Sequence, residues 1–239
     1  MPAYSLGIDI GGTFTDIVAY DHASGRSLTH KELTTPDDPA KGVITGIVRL
    51  FDREGLAYRD VTRVVHATTL FANALIERKG AATGLITTEG FRDVLEIGRE
   101  RKYELYDIFI EMPKPLVRRG LRMEVAERMA PDGTPEIPLD EAGLVRQAQA
   151  LVDAGVVSIA VMFLHAYANP AHERAAQKIL RERFPDLFVS ISSEIAPEIR
   201  EFERASTTVA NAYIKPIADR YLDNLGREIA ALGIGAPLF

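Results

Sequence analysis

Apolar and polar positions fall into short β-like runs at the start of the chain and into helical spacing further on. Leu6–Ile10 is an apolar run broken by Gly7 and Asp9, which predicts a buried strand. Phe14–Tyr20 and Leu28–Leu33 repeat that composition. The gaps between them, Gly11-Gly12-Thr13 and Asp21–Arg26, suit hairpins, because a parallel crossover needs about a dozen residues or more. Asp38-Pro39 then opens a helix in which Val43, Ile44, Ile47, Val48 and Phe51 recur at helical spacing, with Gly55 to close it. Val61–His66 reads as a buried strand, about Thr68 to Lys79 as a helix ended by Gly80, and Ala82–Thr87 as the next strand. Hairpins followed by strand–helix–strand units predict a mixed sheet, antiparallel at its start and parallel later.

The pattern weakens over residues 90–138. This stretch carries Pro113, Pro115, Pro131 and Pro135 and reads as an irregular insertion or flap with a short hairpin near Leu121–Arg128. A second α/β section occupies residues 139–239, after a first section at 1–89. Asp140 caps a helix closed by Gly155, Val156–Phe163 predicts a central strand, Asn169-Pro170 caps another helix, and Leu187–Ile191 is a strand. From Ser206 a long helical pattern runs through Val209, Tyr213, Ile217, Leu222, Leu225 and Ile229, and Pro216 is expected to kink or split it. Ala236-Pro237-Leu238-Phe239 looks like the start of a further strand.

Composition narrows the class. Of the 239 residues, 46% are hydrophobic, enough for a sizeable core, and the net charge of −6 argues against nucleic-acid or anionic-membrane binding. The basic run Arg118–Arg122 reads as a solvated loop. There are no cysteines, which excludes disulfides, thiolate metal sites and a cysteine nucleophile, and fits a reducing cytoplasm. No apolar run approaches the ~18 residues of a membrane span, and no signal peptide is seen, so a cytoplasmic protein is expected.

The chemically informative segment is Gly7-Ile8-Asp9-Ile10-Gly11-Gly12-Thr13-Phe14-Thr15-Asp16. It lacks the GK[ST] of a Walker loop and the spacing of G-x-G-x-x-G. Adjacent glycines let a backbone turn tightly and approach a ligand, and the N–H groups of such a turn form an anion nest. Thr13 and Thr15, on one strand face with Phe14 pointing the other way, add hydroxyl donors. Asp9 beside an anion makes sense if a divalent cation or a water lies between them. A plain Gly-Gly hairpin is the competing account.

The D-x-G-G-T-x-T-D pattern resembles the first phosphate loop of the actin, sugar-kinase and heat-shock ATPase fold. More specifically, Gly7–Asp16 resembles the opening of the hydantoinase A/5-oxoprolinase/acetone carboxylase family. The resemblance continues through His66–Gly80, Ser193–Glu198 and Arg200–Tyr213, with Ala67 standing where the family more usually has glycine. It implies an actin-like (ribonuclease H-like) lobe and an enzyme that uses ATP to open a cyclic amide, or to carboxylate a ketone, by phosphorylating a carbonyl oxygen. On that reading Gly11, Gly12, Thr13, Phe14 and Thr15 hold phosphate, Asp9 positions Mg²⁺ or water, and Asp16 supports the loop; Asp9 and Asp16 are the candidate catalytic pair. His66, Thr68, Thr69 and Asn73 form a substrate-side or phosphate-side wall, and Arg204, Thr207 and Asn211 lie near the cleft.

Other readings accompany these. Thr69 and Asn73 are four apart, so both face one side of a helix, but capping threonines and a hydrogen-bonded histidine explain the same residues. The segment Arg99-Glu100-Arg101-Lys102-Tyr103 reads as a surface loop, or as a substrate entrance. His165 and His172 are seven apart, and metal ligation there is the less favoured account. Only one Asp-Gly-Gly-Thr loop is found, whereas actin-like ATPases close two lobes on the nucleotide. The expectation is therefore half of an ATP site, completed by a C-terminal remainder or a second subunit. The alternatives are a ketone carboxylase subunit, a non-catalytic isolated domain and a small-molecule kinase.

Overall fold

The computed structural model describes residues 3–35, 38–99, 104 and 106–239. They form two compact units, one of residues 1–77 with 217–239 and one of residues 78–216. The boundaries differ from the sequence division at 89 and 138, because the strand at Thr83–Thr88 joins the second sheet and not the first.

In the first unit, β1 (Tyr4–Ile10), β2 (Phe14–Asp21) and β3 (Ser27–Leu33) make the expected antiparallel meander, and β4 (Val61–Thr68) pairs parallel to β1, giving the order β3-β2-β1-β4. Alternation sends Leu6, Ile8, Ile10, Ile17, Ala19 and Val64 to one face. There they meet Val43, Ile47, Leu50 and Phe51 of α1 (Pro39–Glu54), each contributing about 1.5–3 kcal/mol of burial. Gly55 closes α1 in the left-handed conformation, as expected, but Asp38 makes no side-chain cap. β4 is only half-buried, since Val65 and Ala67 lie on the exposed face. At its edge, Leu238 makes a parallel bridge to Val64, with the His66 N–H donating to the Phe239 carbonyl at 2.8 Å.

α2 (Leu70–Ile76) stops three residues before the predicted end, and Arg78 takes the left-handed turn that the sequence assigns to Gly80. Gly80 is required elsewhere: a Cβ there would lie 2.0 Å from the ring of Tyr213.

In the second unit, β5 (Thr83–Thr88) is followed by the short helix α3 (Val94–Ile97) and then β6 (Arg122–Val125), which pairs parallel to β5. So the segment read as an irregular flap supplies a sheet strand. The hairpin lies later, between β7 (Arg128–Met129) and β8 (Pro135–Ile137). Helix α4 (Glu141–Asp153) is capped by the Asp140 carboxylate, which accepts from the Gly143 N–H at 2.8 Å. After it come β9 (Ser158–Met162), α5 (Ala171–Arg183), β10 (Phe188–Ile191), the short α6 (Ser192–Ile195) and α7 (Glu201–Ala231). The sheet order is β10-β9-β5-β6, all parallel. The chain leaves β5 for β6 on one side and returns to β9 on the other, a switch point of the kind that places binding groups at the carboxyl ends of strands.

α7 starts five residues before the expected Ser206 and continues through Pro216, where the sequence predicts a kink or split. The division between the two units falls at that proline. Ser206, Thr207 and Thr208 are therefore interior and cap nothing; Thr208 Oγ1 instead donates to the Arg204 carbonyl at 2.6 Å. Arg122, taken for part of a solvated loop, is 1% exposed, with Nε donating to the Val117 carbonyl and a bridge to Glu96. Among the described residues no helix is long and apolar enough to cross a membrane.

Candidate functional site

The loop at the top of β1 and β2 is stapled from both sides. Gly11 N–H donates to the Phe14 carbonyl at 2.9 Å and closes the turn. Just after β3, the Thr34 hydroxyl donates to the Gly11 carbonyl at 2.9 Å and its N–H to the Thr13 carbonyl at 3.0 Å. From β4, the Thr68 hydroxyl and the Thr69 N–H both donate to the Ile10 carbonyl, at 3.2 and 3.1 Å. Neither Gly11 nor Gly12 has a φ in the left-handed region, so the turn itself does not demand glycine. What glycine leaves there is bare, exposed backbone at Gly12, followed by the exposed Thr13.

Thr13 and Thr15 do not share a face in contact with solvent. Thr15 is 0% exposed and hydrogen-bonds Thr34 Oγ1 at 3.1 Å, so it holds the loop from behind. Thr34, which the sequence analysis did not single out, is the hub of these bonds. Asp9 and Asp16 are register partners on the open face of the sheet. Asp16 is paired with Lys31 at 2.9 Å, and that ammonium also lies 5.0 Å from the Phe14 ring centroid. Asp9 is exposed at the end of β1, with Ala67 beside it in register on β4.

His66 belongs to the other face. It is in register with Ile8, and its Nδ1 is 3.4 Å from the Ile8 carbonyl. A carbonyl only accepts, so Nδ1 carries the proton, and Nε2 accepts from the Tyr221 hydroxyl at 2.8 Å. Burial pushes the imidazole below its ordinary pKa and the Tyr221 phenol up. The histidine is thus a neutral link between β4 and α7. Tyr221→Phe is expected to cost about 1 kcal/mol in chemical denaturation. The folded imidazole binds its proton less tightly than the unfolded one. Its contribution is therefore complete above about pH 6.5 and falls as the pH drops below that value. His66→Gln should flatten that acid-side loss.

Thr69 is exposed at the N-cap position of α2, and Thr68 Oγ1 accepts from the Leu70 N–H at 3.0 Å. Asn73, one turn on, reaches the loop: a Cβ built on Gly12 would lie 3.5 Å from its Nδ2. The structure therefore gathers Asp9, Gly11, Gly12, Thr13, Thr69 and Asn73 around one loop, with Thr15, His66 and Thr68 as its supports.

A second polar cluster marks the carboxyl ends of β5, β9 and β10. Glu173 is fully buried; its carboxylate accepts from the Phe163 N–H at 2.9 Å, the Ser192 hydroxyl at 2.6 Å and the Ser193 N–H at 2.7 Å. Burial raises its pKa, against the lowering effect of those donors. Arg204, 1% exposed, donates to the Phe163 carbonyl and lies 5.5 Å from the Tyr167 ring, and burial lowers its pKa while Glu173 opposes this most. Glu127 joins the Thr88 hydroxyl to His172, whose Nδ1 is 2.8 Å away. His172 is thereby a hydrogen-bond partner of a buried carboxylate, and among the described residues no group of three metal-ligating side chains occurs.

Of the other residues expected near a cleft, Asn211 donates to Ser190 Oγ at 2.9 Å and Thr207 is exposed. Arg99 pairs with Glu203 at 2.7 Å, and the rest of the Arg99–Tyr103 segment lies outside the described residues. Glu173 escaped the sequence analysis because an acid in the first turn of a helix is an ordinary complement to the helix dipole.

The strand order and the stapled turn define the first unit as an actin-like (ribonuclease H-like) α/β lobe carrying a glycine-threonine loop. The chain belongs to the hydantoinase/oxoprolinase family, matching its N-terminal region over residues 5–184. A protein of Methanocaldococcus jannaschii is 42% identical over 239 residues, covering 99% of this chain and 35% of its own length. Caprolactamase subunit alpha of Pseudomonas jessenii is 36% identical over 240 residues, covering 98% of this chain and 34% of that one. The crystal structure of the ATP-dependent caprolactamase from Pseudomonas jessenii has a TM-score of 0.89 at 36% identity, over 98% of this chain and 35% of that one. The nucleotide-free structure of acetone carboxylase, which carries out ATP-dependent acetone carboxylation, has a TM-score of 0.86 at 28% identity, with coverage of 98% and 35%. The chain spans about a third of the length of these relatives.

Proposed function

We propose that this chain is the N-terminal portion of a cytoplasmic, ATP-dependent hydrolase that opens cyclic amides of the hydantoin or 5-oxoproline type. The observation that carries this reading is the likeness to a caprolactamase subunit over 98% of the chain. The loop geometry supports its ATP-binding half. Bare backbone at Gly12 and the main chain of Thr13 and Phe14 present N–H donors to a phosphate, the Thr13 hydroxyl adds another, and Gly11, whose N–H closes the turn, lets the phosphate come close. Thr15, Thr34 and Thr68 hold that surface in place, and Asp16, tied to Lys31, steadies the strand beside it.

When bound, ATP supplies phosphorylation of the amide carbonyl oxygen, which turns a resonance-stabilised, poor electrophile into one with a good leaving group. A single exposed carboxylate, Asp9, fits Mg²⁺, which is commonly held by one or two carboxylates together with water and phosphate oxygens. Thr69 and Asn73 form the wall of this loop. Arg204 and Asn211 are engaged within the second unit, and their role in this reading is to position its strand ends; Thr207 alone of the three is free to meet a ligand.

The test is ATP hydrolysis by the full-length protein with and without lactams, hydantoins and 5-oxoproline. Hydrolysis should require the cyclic amide, and Asp9→Asn and Thr13→Ala should each lower the coupled rate on the order of 10²-fold. Full coupled activity in both variants would sink the assignment. The acetone carboxylase likeness favours one second reading, a ketone carboxylase subunit, which would show ketone-dependent and not amide-dependent hydrolysis.

A further inference from the structure

Four large apolar side chains stand in solvent within seven residues of the second unit. Tyr106 is 89% exposed, Ile108 85%, Phe109 84% and Met112 47%. The local structure pushes them outward: the Asp107 carboxylate accepts from the Phe109 N–H at 2.8 Å, a tight turn that leaves Ile108 and Phe109 at its tip. Single exposed apolar residues are ordinary, but a contiguous group of this size marks a surface that something covers. None of the four belongs to a core cluster of either unit.

Resting on the reading of this chain as the N-terminal portion of a longer enzyme, we infer that Tyr106–Met112 is a docking segment for the C-terminal remainder of the same polypeptide, which covers it in cis. The length of the relatives selects that occupant. Relatives aligned over 98–99% of this chain are about three times its length, so a large body of polypeptide lies beyond the matched region. Side chains this large and apolar suit a permanent contact, and a contact within one chain benefits from high effective concentration. Acids and bases balance along this stretch, with Glu104, Asp107 and Glu111 set among Arg101, Lys102 and Lys114, so the receiving surface is chosen by its apolar character and not by its charge.

Hydrogen exchange of the complete gene product, purified without any second polypeptide, tests this. Amides of residues 106–112 should exchange at least about tenfold more slowly than an uncovered turn. The double substitution Ile108→Asp and Phe109→Asp should return them to the uncovered rate. Protection in the two core sheets should stay unchanged, because these side chains pack in neither core. Free exchange of the segment in the unsubstituted protein overturns the inference. So does protection that appears only when a second subunit is added, which would place the partner in trans, and so does protection that rises with protein concentration, which would make it a second copy.

Discussion

Glu173→Gln is expected to destabilise the protein by about 3 kcal/mol at neutral pH, among the largest effects of any single substitution that preserves side-chain size. The native carboxylate uses both oxygens as acceptors, for Phe163, Ser192 and Ser193. An amide has one acceptor. If its oxygen keeps Phe163 and Ser192, its NH₂ group faces the Ser193 N–H, and two donors meet inside the protein. The substitution also removes the carboxylate that does most to offset the burial of the Arg204 guanidinium. The two residues act through one another, so their effects should not add. In an Arg204→Met background the cost of Glu173→Gln should shrink by about 1 kcal/mol or more, measured as a double-mutant cycle in urea. Equal costs in both backgrounds would show that only the hydrogen bonds matter.

Gly12→Ala should leave stability within about 1 kcal/mol of the parent and yet lower amide-coupled ATP turnover on the order of 10²-fold. The two halves of this expectation have separate physical grounds. The φ of Gly12 lies outside the left-handed region, so alanine is conformationally allowed, and its Cβ would make only an ordinary 3.5 Å contact with Asn73 Nδ2. On the proposed function, a methyl group at this exposed turn would nevertheless stand in the path of a phosphate approaching the backbone. A loss of stability with unchanged turnover would mean that the glycine serves the hairpin and not the ligand. Thermal melting and the coupled assay on the same preparation separate these outcomes.

The first unit was the more legible part of the chain. Hairpin gaps too short for a crossover, clean alternation in β1 and β2, and the helical spacing of α1 each state a local rule that the fold obeys. The second unit was less so. β6 is four residues long, and its pairing with β5 joins segments more than thirty residues apart, so no local period announces it. The same reason hid the true end of α2: Gly80 looked like a helix stop, but it is glycine because the Tyr213 ring rests on it.

By itself, the sequence determined the antiparallel opening of the first sheet, the position of the Asp9–Asp16 loop at its top, and the family to which the chain belongs. These depend on neighbours in the chain, on turn chemistry and on contiguous motifs. Only the tertiary structure sorted that loop's residues into those left exposed and those that hold them in place. Thr13 and Thr15 differ by two positions, but one is exposed and the other is sealed against Thr34. His66 lies on the face opposite Asp9, locked to Tyr221 from a helix 155 residues away. Arg204 sits in a run of charges that reads as solvated, yet it is buried at the strand ends with Glu173 as its counterweight. Burial and hydrogen-bond partnership are properties of groups that meet only when the chain is folded, and they decide which of a motif's residues are free to act.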